Sequence, residues 1–63
     1  MKTVRNAMHV LTAFTHSQPE MSLADLSHRV GIDKVIVHRM LKTLMEGNFI
    51  EQDTGTRHYR LGP

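Results

Sequence analysis

The chain has 63 residues, which suffices for one small domain and leaves little protein for a deep catalytic cleft. It contains no cysteine, which excludes disulfide bridges and thiolate metal sites, and eight Lys and Arg against six Asp and Glu give a formal charge of +2. No apolar run approaches the roughly 20 residues that span a bilayer. These features predict a cytoplasmic domain without a membrane partner, and they favour a nucleic-acid partner only weakly.

The first predicted element is an amphipathic helix over residues 4–15. Apolar residues recur there at the three- and four-residue spacing of a single helix face. The members of this face are Val4, Ala7, Met8, Leu11 and Phe14. We expect the face to lie in the core. Pro19 ends the pattern because a proline disfavours helical angles at the residue before it.

A second, short helix is predicted to begin after Ser22, a suitable N-cap with Asp25 three residues later, as in a capping box. Gly31 can adopt the left-handed angles that close a helix. Ser27, four residues before it, is small enough to let the next helix approach closely. The predicted inner stripe of this helix is Leu23, Leu26 and Val30.

The third helix follows almost at once, with Asp33 as its N-cap. At about 100° per residue, one side of this helix is apolar and is expected to face the core. That side contains Val37, Met40, Leu41 and Leu44. The opposite side contains Val35, Arg39, Lys42 and Glu46. Gly47 and Asn48 are expected to end the helix.

Residues 49–61 change from helical to alternating periodicity, which predicts a hairpin of about 49–53 paired with 57–61. The stretch DTGT is a turn signal and contains Gly55, a residue able to take a positive φ. Helix, helix, tight turn, helix and hairpin is the order of a three-helix winged helix-turn-helix, a mainly α fold with a small β-hairpin. We therefore expect one domain over 1–63, with the helix-turn-helix at about 22–46 and the wing at about 49–61.

The outward side of the third helix is basic, which is what a helix in the major groove of DNA requires. Its outward and flanking residues, all predicted to contact DNA, are Lys34, Val35, Ile36, His38, Arg39, Lys42 and Thr43. Arg39 can fork onto a guanine or bind a phosphate, and the sequence leaves both open. Lys42 stands one turn further along, where the helix leaves the groove, so a phosphate contact is expected.

Two further sites for the DNA backbone are predicted outside the third helix. Arg57, His58 and Arg60 lie near the tip or along the second strand of the wing, where they can follow phosphates or the minor groove. The alternative is that these charges only keep an edge strand from aggregating. Ser22, with the free amides that follow it at the start of the second helix, can hold a phosphate.

Val35 is an apolar residue in the middle of this basic surface. An apolar side chain there can contact the methyl group of a thymine in the major groove. The alternative is that Val35 is one of the single exposed apolar residues found on any protein surface. The basic residues around Val35 favour the contact.

Three stretches of the sequence are similar to the N-terminal DNA-binding domain of the IclR-type bacterial transcription regulators: TVRNAMHVLTAF, MSLADLSHRVGIDKVIVHRMLKTLMEGNFI and HYRLGP. The resemblance covers nearly the whole chain. It implies a transcription factor, more commonly a repressor, that binds operator DNA as a homodimer or tetramer. It also implies a C-terminal domain that binds a small-molecule effector and is absent from this chain, so we expect the DNA-binding piece of a longer regulator. Val35 and Ile36 depart from the family, which commonly has small hydroxyl residues there.

Other functions fit the sequence less well. The five histidines include no pair with the i, i+4 spacing of a helical zinc site, so no metal or other cofactor is expected. The sequence shows no pairing of a nucleophile with a base beside a plausible oxyanion site, so we do not expect an enzyme. The main alternative is a winged helix that mediates protein–protein interaction or assembly, and the basic face of the third helix favours DNA over that alternative.

Overall fold

The chain forms three helices and three short strands in a computed structural model that describes all 63 residues. In chain order the elements are α1 (Lys2–Ala13), β1 (Glu20–Met21), α2 (Leu23–Val30), α3 (Lys34–Glu46), β2 (Ile50–Gln52) and β3 (Tyr59–Leu61). This confirms the predicted winged helix-turn-helix, and β1 adds a third strand to the hairpin. None of the helices is both long and apolar enough to cross a bilayer.

The turn between α2 and α3 is closed by local hydrogen bonds, as the sequence predicted. The hydroxyl of Ser22 accepts a hydrogen bond from the amide of Asp25 at 3.1 Å and caps α2. At the other end, Gly31 adopts φ 71°. The carbonyl of Ser27 accepts hydrogen bonds from the amides of Gly31 at 2.9 Å and Ile32 at 3.3 Å. The Ser27 hydroxyl in turn donates to the Ile32 carbonyl, which fixes the direction in which α3 leaves the turn.

The ends of α3 also follow the predicted signals. The carboxylate of Asp33 accepts a hydrogen bond from the amide of Val35 at 3.0 Å, which caps the helix. The helix ends at Glu46, directly before the predicted Gly-Asn pair. Asn48 rather than Gly47 takes the left-handed angle, with φ 63°. Asparagine tolerates that region because its short polar side chain bonds locally.

The sheet has the strand order β1-β3-β2 and is antiparallel throughout. The partners of β3 are Glu20↔Arg60 and Met21↔Tyr59 on one edge, and Ile50↔Leu61, Glu51↔Arg60 and Gln52↔Tyr59 on the other. The strand β1 lies between the first two predicted helices, where no element was predicted from the sequence. A two-residue strand has too few positions to show an alternating pattern, so only its pairing with β3 identifies it.

The prediction for the buried face of α1 was wrong at two positions. Val4 and Met8 are 53% and 58% exposed, whereas Val10 is fully buried and Phe14 is nearly so. The helix also begins and ends two residues earlier than predicted. Its main contact is with α2, and its buried residues lie in its second half. The first half therefore keeps an apolar face that no other element covers.

The second and third helices contribute to the core at positions that were predicted for them. The buried residues are Val10, Ala13, Phe14, Met21, Leu26, Val37, Leu41, Ile50 and Tyr59. The predicted core residues Leu23, Val30, Met40 and Leu44 are half-buried and pack against this cluster. Met21 and Tyr59 face each other across β1 and β3, so the sheet closes one side of the core.

The turn of the wing forms without a left-handed glycine. Gly55 does not take a positive φ, whereas Arg57 does, with φ 66°. The carboxylate of Asp53 accepts hydrogen bonds from the amides of Gly55 at 2.7 Å and Thr56 at 3.1 Å, which folds the first half of the turn. The left-handed residue that returns the chain to β3 therefore falls later, at Arg57.

Replacing Gly31 by alanine tests the importance of the left-handed angle alone. No atom lies within 4 Å of the position a Cβ would take, so the substitution creates no clash. We expect Gly31→Ala to lower the free energy of unfolding by about 1–2 kcal/mol, and Gly31→Asn to lower it less. Urea unfolding of both variants measures the difference. Equal stability of wild type and Gly31→Ala would contradict this account of the turn.

The carboxylate of Asp53 makes the wing sensitive to acid. The hydrogen bonds from Thr56 and then Gly55 lower its pKa below the ordinary value of 3.8. A carboxylate whose pKa is lowered by folding stabilises the fold above its unfolded pKa, and this stabilisation disappears as the pH falls through the folded pKa. We expect the melting temperature to fall as the pH is lowered from about 5 to below 3.8, and to fall less in Asp53→Asn. Equal falls in both proteins would show that another carboxylate dominates.

Candidate nucleic-acid interface

The exposed side of α3 contains every residue that the sequence predicted there. All seven side chains are exposed, namely Lys34, Val35, Ile36, His38, Arg39, Lys42 and Thr43. Val37 and Leu41, on the opposite side, are fully buried. The core therefore fixes the rotation of α3 about its axis, and with it the set of side chains that an outside partner meets.

The two flanks of α3 border different parts of the molecule. His38 lies on the flank that borders the start of α2 and the wing. Arg39 and Thr43 lie along a shallow groove between α3 and the first half of α1. On a helical wheel, Val35 falls between Arg39 and Lys42, within about 40° of each. The centre of the exposed face is therefore one apolar side chain between two cations.

An open crevice of about 360 Å³ lies between the start of α2, the exposed side of α3 and the turn of the wing. Four of the residues predicted to contact DNA line this crevice. From the sequence alone they could only be assigned to three separate elements. These residues are Ser22, His38, Arg57 and His58. Leu23 and Ala24, the first two residues of α2, also line this crevice, and the amides of the first turn of a helix have no partner within the helix. The crevice thus combines amide donors with an Arg side chain, which is suitable for a phosphate.

The sequence reading missed two polar residues of this crevice, Gln52 and Thr56. The Gln52 side-chain amide donates to the carbonyl of Arg57 at 3.0 Å, and the amide of His58 donates to the Thr56 hydroxyl at 3.2 Å. Both bonds hold the peptide group between Arg57 and His58. Thr56 directly precedes the basic turn residue Arg57, whereas no sequence signal marked Gln52.

The cations of this surface differ in their pairing. The four ion pairs of the chain all involve Arg60 or His58. The cations without an ion-pair partner at the exposed face of α3 and the turn of the wing are Lys34, Arg39, Lys42 and Arg57. None of these four side chains has a carboxylate oxygen within 4.0 Å.

Arg60 is held by carboxylates from the other two strands. Its Nε lies 2.6 Å from Oε1 of Glu51 on β2, and its Nη1 lies 3.8 Å from Glu20 on β1 and 3.7 Å from Asp53. The hydrogen bond with Glu51 is the largest cause of the raised pKa of Arg60. This side chain ties the three strands together, and its charge is shared among three carboxylates.

His58 has an intermediate position. It lines the crevice, and its Nδ1 lies 4.0 Å from a carboxylate oxygen of Glu20. The three carboxylates around Arg60 make the outer face of the sheet acidic, which is unfavourable next to a phosphate backbone. Of the three predicted wing residues, only Arg57 is both exposed and free of carboxylates.

No three His, Asp or Glu side chains come together as a group that would hold a metal ion. The spaces on the surface are shallow and open to solvent. The geometry is that of a surface for binding a large, charged partner.

Comparison with known proteins agrees with this geometry. The model of the IclR helix-turn-helix domain matches residues 3–54. The chain is 32% identical over 62 residues to the HTH-type transcriptional regulator XynR of Escherichia coli, which covers 98% of this chain and 25% of that protein. It is 38% identical over 61 residues to the HTH-type transcriptional regulator KipR of Bacillus subtilis, covering 97% of this chain and 24% of that protein.

A solved structure gives the same result. The crystal structure of an IclR transcriptional regulator from Alicyclobacillus acidocaldarius superposes with a TM-score of 0.92 at 31% identity, covering all of this chain and 26% of that one. The chain thus spans about a quarter of the length of the relatives it matches. The chain belongs to the IclR helix-turn-helix family, the DNA-binding domain family of this class of bacterial transcription regulators.

Proposed function

We propose that this domain binds double-stranded operator DNA in a sequence-specific way as part of a bacterial transcription regulator. In this proposal α3 lies in the major groove and the wing lies on the adjacent backbone or minor groove. The observation that carries it is the group of cations without ion-pair partners on α3 and the turn of the wing. These charges border a single crevice or stand on the helix beside it.

The dimensions of α3 support this placement. Its 13 residues make a rod about 20 Å long, and a helix of ordinary diameter fits a major groove about 12 Å wide. In a helix-turn-helix the N-terminal residues of the recognition helix meet the base edges. Here those residues are Lys34, Val35, His38 and Arg39, and Lys42 follows where phosphates are expected.

The crevice is the proposed seat of a backbone phosphate. Ser22 and the amides at the start of α2 would face the phosphate from one side, and Arg57 from the other. The left-handed angle of Arg57 costs about 1–2 kcal/mol, which glycine would avoid. A cation kept at this position despite the strain supports a role for its guanidinium in binding. Arg60 is left out of the proposed interface because three carboxylates already surround it.

The exposed apolar face of α1 supports a homodimer. Met1, Val4 and Met8 are 92%, 53% and 58% exposed, and Val4 and Met8 are one turn apart. In the proposed dimer, α1 packs against α1 of a second copy about a two-fold axis. Two α3 helices would then reach half-sites about 34 Å apart, or a multiple of that distance. A repressor role, a higher oligomer and an effector-binding domain in a longer protein also remain predictions.

Lys42→Gln tests whether α3 contacts DNA. Each phosphate contact contributes about 0.9 to the slope of log K against log salt concentration, so we expect the slope to fall by about that amount. Arg29→Gln is the matched control, because it removes the same charge from α2 beside α1, away from the crevice and α3. Fluorescence anisotropy on a duplex at several salt concentrations measures both slopes. A wild-type slope near zero would contradict DNA as the partner, and equal slopes for the two variants would remove Lys42 from the interface.

Met8→Glu tests the proposed dimer contact. A buried carboxylate at the centre of an apolar helix pair is strongly unfavourable. We therefore expect the variant to bind a single half-site like wild type and to lose cooperativity on a two-half-site duplex. Leu61→Glu is the control, since Leu61 is also an exposed apolar residue, 47% accessible, but lies at the end of β3. Unchanged cooperativity in Met8→Glu would place the dimer contact elsewhere.

A further inference from the structure

Two adjacent apolar side chains are exposed at the first turn of α3. Val35 is 63% exposed and Ile36 is 43% exposed, whereas the next residue, Val37, is fully buried. Neither belongs to the buried cluster or to the half-buried residues that pack against it. Packing within the domain therefore does not explain why an apolar residue occupies either position.

The two side chains are held in place and are surrounded by positive charge. The Asp33 cap fixes the first turn through the amide of Val35. Arg39 follows Val35 by four residues and Ile36 by three, so it stands one turn along next to both. Valine and isoleucine in a helix have essentially one side-chain rotamer, so they lose little entropy when a partner contacts them.

The chemistry of these side chains restricts what they can recognise. Neither donates or accepts hydrogen bonds, so neither can bind a phosphate or the polar edge of a base. The apolar group that the major groove presents is the C5-methyl of thymine. An apolar protein surface is a poorer partner, because contact with this pair would desolvate Arg39 and the neighbouring lysines without compensation.

We propose that Val35 and Ile36 together read thymine methyl groups, and that the operator half-site has thymines on neighbouring base pairs facing the first turn of α3. This inference rests on the proposed function and specifies its substrate. The two side chains leave the helix about 100° apart, and neighbouring base pairs are separated by about 3.4 Å along the duplex. Each side chain can therefore meet a different base step, and Arg39 stands beside both to contact a guanine or a phosphate.

The test begins with selection of bound sequences from random duplex DNA. In the selected site, each thymine is then replaced singly by uracil, which removes the methyl group and leaves base pairing unchanged. Affinities are measured for wild type, Val35→Ser, Ile36→Ser and the double variant. Thermal unfolding of each variant shows that it is folded, which exposure at these positions leads us to expect.

One or two uracil positions are expected to weaken wild-type binding by about fourfold each, the effect of burying one methyl group. At those positions the double variant should show no further loss, because the partner of the methyl group is already gone. Uracil elsewhere should weaken all four proteins equally.

Two results would overturn the inference, and they are distinguishable. If a specific site is selected but no uracil position separates wild type from the variants, methyl reading is wrong and the DNA-binding proposal stands. If no sequence is enriched and no salt-dependent binding occurs, the proposed function fails and this inference fails with it.

Discussion

The function of this domain depends on the turn between α2 and α3. Three hydrogen bonds meet at Ser27 and Ile32, and Gly31 supplies the left-handed angle that lets them form. Because the turn is so short, it fixes the direction of α3, while the buried Val37 and Leu41 fix its rotation. Together these contacts decide which side chains of α3 face outward. A basic helix without this support would present no defined surface to a duplex.

The distribution of charge matters more than the net charge of +2. Glu20, Glu51 and Asp53 gather around Arg60 on the outer face of the sheet, where they stabilise the wing from all three strands. Exposed pairs of this kind contribute little each, but they connect strands that are only two or three residues long. Confining these carboxylates to the sheet leaves the cations of α3 and Arg57 unpaired. A mildly basic protein thereby acquires one strongly basic surface.

The apolar residues are likewise divided, between the core and the exposed surface. A domain of 63 residues buries only about 60% of the surface its chain exposes when unfolded, so few apolar residues are spare. Nevertheless Met8 and Val4 on α1, and Val35 and Ile36 on α3, remain exposed. Both pairs lie on surfaces where a partner is proposed, a second copy for α1 and DNA for α3. Their exposure lowers the stability that the core could supply, which is consistent with a role in binding.

Features that depend on residues close together in the chain were predictable from the sequence. Ser22 and Asp33 as caps, Gly31 as a helix end and the apolar faces of α2 and α3 each involve neighbours within about four residues, so periodicity and capping chemistry suffice to identify them. The exposed basic side of α3 follows from the same periodicity. The resemblance to the IclR family used these same local patterns.

Contacts between distant parts of the chain were beyond that reasoning. The strand β1 exists only because Glu20 and Met21 pair with Arg60 and Tyr59, about forty positions later, and this pairing brings the carboxylate of Glu20 close to Arg60. The exposure of Met8 depends on how α1 packs against α2, and the crevice depends on where three separate elements meet. Local patterns thus specified the helices and their polar sides, whereas long-range pairing and packing determined which charges are free and which apolar residues stay uncovered.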